Sequence, residues 1–519
     1  VSGPKGTEVT LKHSELVNYS GMIDPWTNRN AQATDVYTLK GEGEEVYEPR
    51  FTYHGFRYVE VTGYPGTPAL DSIEGCVVHS DVKETGSFTT SNELLNQIQS
   101  NFRWGMLNNF MSIPTDCAQR DERTPCLMDS MVVEEAAMQN FDMAAYYTKW
   151  MQDIIGSPNN PDWGGDQINL AWILYQYYND KRVLEQYYKQ MKLYINLMET
   201  KTKNHIYKDG FGDWCAPNNN TWESFFNDVS EVNTALHYRH TLLVSQIADI
   251  LGEKEDAEYY KKLAEDIKNA FDKHFWHHEL NMYGDGSQTT SLLPLAFGIV
   301  PEDRKETLVQ QLVDNIIKEK EYHMDTGIFG SKYFVDVLAD YGKTDIAYKV
   351  LNQDTYPSYG YQIKLGATTT WEQWAFEGGM HSHDHAMFAG LGASFYTRFA
   401  GVRPLSPGYG EIGIKPYIPK DLENVNCSIE TVKGLVTSNW KKTGDSLQIE
   451  VVIPANTTAK ISIPKMDRSN VVIKEGKKAI WERDKFVQGV EGIAAGTDEG
   501  GFVTFDAGSG SYLFEVNGK

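Results

Sequence analysis

The chain has 519 residues and carries a formal net charge of −23, from 48 Lys and Arg against 71 Asp and Glu. The length predicts two or three domains, and so acidic a surface argues against nucleic acid or an anionic membrane as a partner. No stretch of about eighteen apolar residues occurs, so no membrane span is expected.

Residues 1–88 have the pattern of β-strands. The segments 9–11, 35–39 and 58–62 are rich in β-branched and aromatic residues, and Gly and Pro separate them. We expect an N-terminal β-sandwich, or part of one, over 1–88. No signal-peptide pattern is visible at the start. We expect a soluble chain, and the sequence leaves its location open between cytoplasm and periplasm.

The periodicity becomes helical between about residue 92 and residue 400. Apolar residues recur at steps of three and four, as in the series Leu184, Tyr187, Tyr188, Met191, Ile195 and Met198. About a dozen such segments fit, so 89–400 is predicted to be an all-α domain. A ring of paired helices, a bundle and a solenoid all satisfy this periodicity, although no fixed-period repeat favours a solenoid.

Residues 401–519 return to the β pattern. Apolar residues alternate with polar ones at Leu447, Ile449, Val451 and Ile453, and Gly-rich turn signals recur. This region is predicted to be a second β-sandwich. The five cysteines of the chain are scattered without a C-x-x-C pair, which argues against a disulfide scaffold and against a thiolate zinc site.

One short stretch concentrates charge. DCAQRDER at 116–123, followed by Asp129, places four carboxylates and two arginines within fourteen residues. Pro114 ends any helix arriving from 102–110 and a helical pattern resumes near Asp129, so we expect a loop between two helices. Crowded carboxylates beside guanidinium groups have pKa values pushed apart, which a proton-transfer site needs. A solvated acidic loop with Arg pairs explains the same residues.

This stretch resembles the signature of the bacterial α-L-rhamnosidases, glycoside hydrolase family 78, which reads D-C-P-Q-R-D-E-R-L-G-W-T-G-D. Further blocks similar to the family's occur in the family's order: EPRFTYHGFRY at 48–58, DWG at 162–164, FGDW at 211–214, GATTTWEQW at 366–374 and SHDHA at 382–386. The chain departs from the signature at 124–128, where Cys126 stands in place of the family's Trp.

The resemblance implies an (α/α)6 barrel between two β-sandwiches and an inverting exo-glycoside hydrolase that releases terminal α-L-rhamnose from glycans or plant glycosides. It assigns the general acid to Glu122 and the general base to Glu372. Inverting enzymes hold two such carboxyl groups roughly 6.5–9.5 Å apart. A salt bridge of Glu122 to a neighbouring Arg, and a strand-end position of Glu372 between two core tryptophans, are the purely structural alternatives.

We expect no metal ligand and no cofactor, and the sequence leaves calcium binding open. The resemblance also implies the groups that bind the sugar. These are Asp116, Arg120 and Asp129 for the rhamnose ring, Trp163 and Trp214 for its apolar faces and methyl group, and His385 for a hydroxyl. His381, His383 and His385 alternate and could converge on a metal. We expect instead that Ser382 caps a helix with His385 in its first turn.

Two other functions stay open beside a carbohydrate hydrolase acting on α-L-rhamnosides. The Trp-to-Cys change at 126 favours a different deoxy-L-sugar on the same scaffold, and the whole altered segment 124–128 favours a non-catalytic rhamnose-binding module. A panel of aryl glycosides distinguishes the first, and calorimetry with rhamnose distinguishes the second. The sequence does not indicate an oligomeric state.

Overall fold

The computed structural model describes residues 1–217, 226, 228–376, 382–444, 446–466 and 468–518. Over this part of the chain, helices and sheets are arranged in three successive regions. A sheet domain comes first, a helical region follows and a second sheet domain ends the chain, in the order that the sequence predicts. None of the described helices is both long enough and apolar enough to cross a membrane.

The N-terminal region is built on a central strand that is paired on both edges. Its strands are β1 (Glu8–Ser14), β2 (Leu16–Val17), β3 (Ile23–Asp24), β4 (Thr34–Thr38) and β5 (Tyr58–Thr62). β1 pairs antiparallel with β4 on one side and with β5 on the other. The three β-rich segments predicted from the sequence are therefore confirmed as the strands of one sheet.

The next strand, β6 (Gly86–Thr90), does not belong to this sheet. It spans the boundary expected at residue 88 and pairs antiparallel with Asn424–Thr431 of the C-terminal region. Gly86 lies so close to the helical region that a Cβ there would be 1.8 Å from the carbonyl oxygen of Gln139, so only glycine fits. The C-terminal sheet thereby fixes the point at which the chain enters the helical region.

The helical region contains thirteen α-helices among the described residues. They are α1 (Glu93–Asn108), α2 (Leu127–Asn140), α3 (Ala144–Ile154), α4 (Pro161–Gly164), α5 (Asp166–Tyr178), α6 (Lys181–Thr200), α7 (Val229–Leu251), α8 (Lys254–Phe275), α9 (Gln288–Phe297), α10 (Glu302–Asp314), α11 (Ile328–Asp340), α12 (Thr344–Leu351) and α13 (Tyr359–Lys364). Short strands β7 (Phe110–Met111), β8 (Ile113–Pro114), β9 (Trp276–His277) and β10 (Met282–Tyr283) lie between them. The predicted apolar face is confirmed on α6, whose buried residues recur at steps of three and four.

Six helical segments contact one another in a closed order. α2 contacts α5, α5 contacts α7, α7 contacts α9, and α9 contacts α11. α11 contacts the 3-10 helix Ala386–Gly392, which contacts α2. A second set packs against these six: α3, α6, α8, α10 and α12, together with α1. The closed order places the loop before α2 beside the segment before Ala386, and these two carry most of the predicted site residues.

The C-terminal region consists of two sheets that face each other. Its strands are β11 (Val402–Pro404), β12 (Glu411–Ile414), β13 (Asn424–Thr431), β14 (Gly434–Thr443), β15 (Ser446–Ile453), β16 (Thr458–Pro464), β17 (Val472–Glu475), β18 (Lys478–Glu482), β19 (Lys485–Phe486), β20 (Ile493–Asp498), β21 (Phe502–Ala507) and β22 (Gly510–Asn517). One sheet has the order β11-β12-β16-β21-β20, and the other β19-β18-β17-β22-β15-β14-β13-β6. Rings of Phe505 and Phe514 stack across the interface with centroids 6.0 Å apart. The predicted alternation is confirmed on β15, where every second residue is buried.

Candidate active site

The acidic stretch forms a loop, as the sequence predicts, but it follows the short strand β8 rather than a helix and ends at α2. The loop is closed on itself, since the Asp116 amide donates to the Thr124 carbonyl at 3.2 Å and the Thr124 amide donates to Asp116 Oδ1 at 3.0 Å. Residues 115–120 are buried, and exposure begins at Asp121. A buried charged loop needs internal partners for its ionised groups.

Arg120 supplies those partners. Its guanidinium is 2% exposed and lies 2.8 Å from Glu372 Oε2, 3.1 Å from Asp116 Oδ2 and 2.9 Å from Glu122 Oε2. The planar fork of arginine can serve several carboxylate oxygens at once, which a lysine cannot do. One cation therefore joins both predicted catalytic carboxyl groups to a predicted sugar ligand, although Glu372 lies 252 residues away from Arg120 along the chain.

The segment around Glu372 is held in place by hydrogen bonds to neighbouring backbone. Its amide donates to the Ser382 carbonyl at 2.9 Å, and Thr370 Oγ1 donates to the His385 carbonyl at 2.7 Å. Trp374 is buried, and its indole N–H donates to the Thr326 carbonyl at 3.0 Å. Burial raises the pKa of Glu372, and the charge and hydrogen bond of Arg120 counter that rise.

Asp129 and His385 form a second close pair at this site. His385 Nε2 is 3.9 Å from Asp129 Oδ2, and both side chains are buried. Burial, then repulsion from Asp116 and Glu372, raises the pKa of Asp129 well above its ordinary value. Burial lowers the pKa of His385 to about 3, so its imidazole is neutral at neutral pH.

The predicted helix start at Ser382 is wrong. His385 has an extended backbone, with φ −132° and ψ 122°, and the 3-10 helix begins after it at Ala386. Ser382 Oγ instead accepts from the Asp384 amide and donates to Gln119 Oε1 at 3.0 Å, so its hydroxyl ties this segment to the acidic loop. His383 packs its ring against Trp371, with centroids 4.4 Å apart. His381 lies outside the described residues.

The two predicted platform tryptophans belong to one aromatic cluster. The Phe211 ring lies 5.3 Å from the Trp163 ring and 5.6 Å from the Trp214 ring. Asp213 fixes the cluster's loop, because its carboxylate accepts from the amides of Gly327, Phe329 and Gly330 at the start of α11. Burial raises the pKa of the Cys215 thiol at the end of this loop well above its ordinary value, and the charge of Glu372 acts in the same direction.

The N-terminal region contributes two charged residues that sequence reasoning missed. Arg29 Nη1 lies 2.7 Å from Glu122 Oε2, so Glu122 is held between Arg29 and Arg120. Glu15 is buried, and its Oε2 accepts from the His383 amide at 3.1 Å. Burial raises the pKa of Glu15 to about 7, and the charge of Glu372 acts in the same direction. No local motif marks Arg29 or Glu15. The only sequence signal in the N-terminal region is the block at 48–58, which resembles the family and contains neither residue.

Glu15→Gln is expected to stabilise the protein at high pH and to leave it unchanged at low pH. The pKa of Glu15 is about 7 in the folded state and 4.5 ordinarily, so the folded state binds the proton more tightly and loses stability as pH rises between these values. A glutamine cannot ionise, and the gain at about pH 8 should reach up to about 3 kcal/mol. Denaturant unfolding at about pH 5 and pH 8 measures it. The exposed Glu279→Gln is the control, and an equal effect at both pH values would contradict the prediction.

One set of three donor groups at this site could approach a metal ion. Single ligand atoms of Asp116, Glu122 and Cys126 lie within 4.8 Å of one another. Burial, and then the charge of Asp129, raises the pKa of the Cys126 thiol well above its ordinary value, which disfavours the thiolate that metals bind. Arg120 already neutralises oxygens of Asp116 and Glu122. The set is therefore better suited to protons and hydroxyl groups than to a cation.

Three family models match consecutive parts of the chain. The bacterial alpha-L-rhamnosidase concanavalin-like domain matches residues 1–79, and the bacterial alpha-L-rhamnosidase 6 hairpin glycosidase domain matches residues 83–399. The bacterial alpha-L-rhamnosidase C-terminal domain matches residues 401–478. The glycosidase-domain match alone covers more than half of the chain and contains the whole cluster around Arg120.

Curated relatives and solved structures agree with these matches. An alpha-L-rhamnosidase of Streptomyces avermitilis is 33% identical over 99% of this chain and 50% of its own length, and one of Formosa agariphila is 35% identical over 88% and 53%. The structure of alpha-L-rhamnosidase from Dictyoglumus thermophilum has a TM-score of 0.93 at 40% identity, covering 99% of this chain and 60% of that one. The Streptomyces avermitilis enzyme complexed with L-rhamnose has a TM-score of 0.89 at 32% identity, covering 100% and 50%.

The chain thus spans about half the length of the curated relatives it matches. Within that span the match is continuous, from the N-terminal sheet to the C-terminal one. The signature loop, the segment around Glu372 and the aromatic cluster all lie inside it. On these grounds, the chain belongs to the bacterial α-L-rhamnosidase family.

Proposed function

We propose that the protein is an inverting exo-glycoside hydrolase that releases terminal α-L-rhamnose, with Glu122 as general acid and Glu372 as general base. The observation that carries this proposal is the single guanidinium of Arg120 between the two carboxyl groups. A pair of carboxyl groups in different surroundings is what glycoside hydrolysis requires. Here Glu122 keeps 28% of its side chain exposed, whereas Glu372 keeps 2%.

This difference in exposure supports the assignment of the two roles. A general acid must reach the oxygen of the departing group, which leaves toward solvent, and the partly exposed Glu122 suits that task. A general base must hold one water against the anomeric carbon, and the buried Glu372 suits that task. Arg120 opposes the effect of burial on the pKa of Glu372, which keeps the base ionisable.

Arg120 also suits the course of an inverting reaction. As the bond breaks, Glu122 gives up a proton and Glu372 takes one from the attacking water. The total charge of the two carboxyl groups facing Arg120 is therefore the same before and after the step. A fixed cation between them needs little reorganisation as the charge moves, which is the general advantage of a preorganised site.

Sugar binding would use the remaining groups of the site. We assign the rhamnose hydroxyl groups to Asp116, Arg120, Asp129 and His385, and the apolar faces of the sugar to Trp163 and Trp214. Arg120 Nε and His385 Nδ1 are buried and have no hydrogen-bond partner among the described residues. Buried polar atoms are rarely left unpaired, so these two support a polar ligand at this point.

The (α/α)6 barrel is proposed on the same footing. The closed order of six contacting helical segments, with a second set outside it, supports a ring of paired helices over a bundle or a solenoid. We retain the division into 1–88, 89–400 and 401–519 as a proposal, with β-sandwiches at the two ends. The facing sheets of the C-terminal region support the second sandwich.

A different deoxy-L-sugar is the second candidate substrate. Cys126 stands where the family has a Trp, and its sulfur lies within 4.8 Å of a carboxylate oxygen of Asp116 and of Glu122, so it lies among the site residues. A thiol is smaller than an indole and offers no flat face for a sugar ring. A changed sugar subsite is therefore the expected consequence of this substitution.

Incubation with p-nitrophenyl α-L-rhamnoside is expected to release p-nitrophenol, and proton NMR during the first turnovers should show β-L-rhamnose forming first. The base-activated water attacks the face opposite the leaving group, which inverts the anomeric carbon. A panel of other aryl glycosides is the control for specificity. First appearance of the α-anomer would contradict inversion. Rhamnose binding by calorimetry without turnover would support the non-catalytic module, and faster turnover of another deoxy-L-sugar would support the second candidate.

A further inference from the structure

Two imidazoles and a carboxylate lie together in the N-terminal sheet, apart from the cluster around Arg120. His13 lies on β1, Asp35 lies on β4, and His54 lies in the segment that leads to β5. One donor atom of each lies within 4.8 Å of the donor atoms of the other two. His13 and Asp35 are buried, and His54 keeps 14% of its side chain exposed.

The pairing of the strands explains why these side chains meet. Leu11 of β1 lies opposite Asp35 of β4, and His13 is two residues further along β1. Residues two apart on a strand point to the same face, so His13 and Asp35 are diagonal neighbours on one face of the sheet. The cluster is therefore a consequence of the strand register and does not depend on a flexible loop for two of its three members.

The tautomer of His13 is set by the backbone. His13 Nδ1 is 3.0 Å from the Ala33 carbonyl oxygen. A carbonyl only accepts, so Nδ1 carries the proton and Nε2 is left with its lone pair. Metal-binding histidines characteristically donate their other ring N–H to a carbonyl or carboxylate in this way.

The spacing of the other two groups fits the edge of a tetrahedral site. His54 Nε2 lies 3.2 Å from Asp35 Oδ1 and 3.1 Å from Oδ2. With metal–ligand bonds of about 2.0–2.1 Å and tetrahedral angles, two ligand atoms of zinc are about 3.3 Å apart. A cation can therefore take the place of the proton that His54 shares with Asp35.

We propose that His13, Asp35 and His54 bind one divalent transition-metal cation of the zinc class. Two imidazoles and one carboxylate form a borderline donor set that suits zinc better than calcium or magnesium. The rings of His13 and His54 now stack, with centroids 4.4 Å apart and planes 26° apart. The exposed side of His54 leaves the fourth position of a tetrahedral site to water.

The bound cation would brace the segments that reach the candidate active site. Glu15 follows His13 by two residues and accepts from the His383 amide. The Asn28 side-chain amide donates to the His13 carbonyl at 2.9 Å, next to Arg29, which pairs with Glu122. We therefore infer a structural role for the site, and metal binding should first be detected as an increase in the stability of the protein.

The test titrates the chelator-treated protein with Co²⁺, whose visible absorption reports tetrahedral coordination, and then with Zn²⁺. We expect one equivalent to bind and Zn²⁺ to raise the Tm of the wild type. His54→Gln and Asp35→Asn should each weaken binding by at least on the order of 100-fold and abolish the rise in Tm. His323→Gln is the matched control, because His323 makes hydrogen bonds with Lys320 and Thr355 in the helical region.

Two outcomes would overturn the proposal. The first is undiminished binding in both variants. The second is loss of binding in Cys126→Ser, which would move the cation to Asp116, Glu122 and Cys126. X-ray absorption of the Zn²⁺-loaded wild type decides the matter even if the variants fail to fold: imidazole and oxygen ligands are expected, and a sulfur ligand would contradict the assignment.

Discussion

Glu372→Gln is expected to lower kcat for an aryl α-L-rhamnoside by roughly 10²–10⁴-fold while KM changes little. A glutamine keeps the size of the side chain and can still hydrogen-bond Arg120, but it cannot accept a proton from water. The side chain is 2% exposed and its surroundings are fixed by backbone hydrogen bonds, so bulk water has little access to replace the lost base. Steady-state kinetics measure the loss.

Glu122→Gln distinguishes the general acid from the general base, because only the loss of the acid should depend on the leaving group of the substrate. A p-nitrophenolate departs with little protonation, so this variant should lose much less activity on p-nitrophenyl rhamnoside than on a rhamnoside with a poorly acidic alcohol. Glu372→Gln should lose equally on both, because the attack of water is needed in each case. The comparison of two substrates on two variants is therefore the measurement.

Glu491→Gln is the control for both variants, because this glutamate is exposed in the C-terminal region. Full activity of Glu372→Gln would remove it from the role of base and leave Asp116 or Asp129 as the candidates. A dependence on the leaving group in Glu372→Gln, and none in Glu122→Gln, would exchange the two roles. Circular dichroism of each variant shows that the fold is retained.

Much of the architecture could be predicted from the sequence because it follows from local periodicity. The alternation at Leu447 to Ile453 and the three-four spacing at Leu184 to Met198 each reappear as a strand and a helix with those residues buried. These patterns record which face of an element meets the core. They do not record which elements meet, so periodicity alone did not distinguish a ring from a bundle or a solenoid.

The site could be predicted only as far as its residues share a motif. Glu122 and Glu372 were assigned through the family resemblance, since composition alone favours a solvated acidic loop. Arg29 and Glu15 could not be found, because their partners lie 93 and 368 residues away along the chain. Such pairings depend on how the N-terminal sheet packs on the loop, and no short-range pattern encodes that packing.

The error at His385 has a similar origin. Ser382 has the residue type of a helix cap, and the sequence alone offers no stronger partner for its hydroxyl. In the structure the Ser382 hydroxyl donates to the Gln119 side chain instead of capping a helix. The His385 amide donates to the Thr370 carbonyl at 2.9 Å. A tertiary hydrogen bond to the acidic loop therefore overrides the local preference and delays the helix to Ala386.

Arg120→Met is expected to destabilise the protein by about 3–5 kcal/mol near neutral pH and to abolish hydrolysis. Removing one partner of a buried ionic cluster leaves the others without compensation, and here three carboxyl groups lose one cation. Burial already raises the pKa of Glu372, and removing Arg120 takes away the main opposing effect. The folded variant then binds protons more tightly than the unfolded chain, so its deficit should grow as pH rises above the ordinary pKa of a glutamate.

Arg120→Lys tests whether charge or geometry matters. A lysine keeps the positive charge, so the stability deficit and its pH dependence should shrink markedly relative to Arg120→Met. Its single ammonium cannot bridge Glu122, Glu372 and Asp116 in one plane, so hydrolysis should still fall by at least on the order of 100-fold. Denaturant unfolding at two pH values and kinetics on p-nitrophenyl α-L-rhamnoside give both quantities. Near-complete activity in Arg120→Lys would mean that the carboxyl groups are oriented by their own backbone and that Arg120 acts only as a counter-charge.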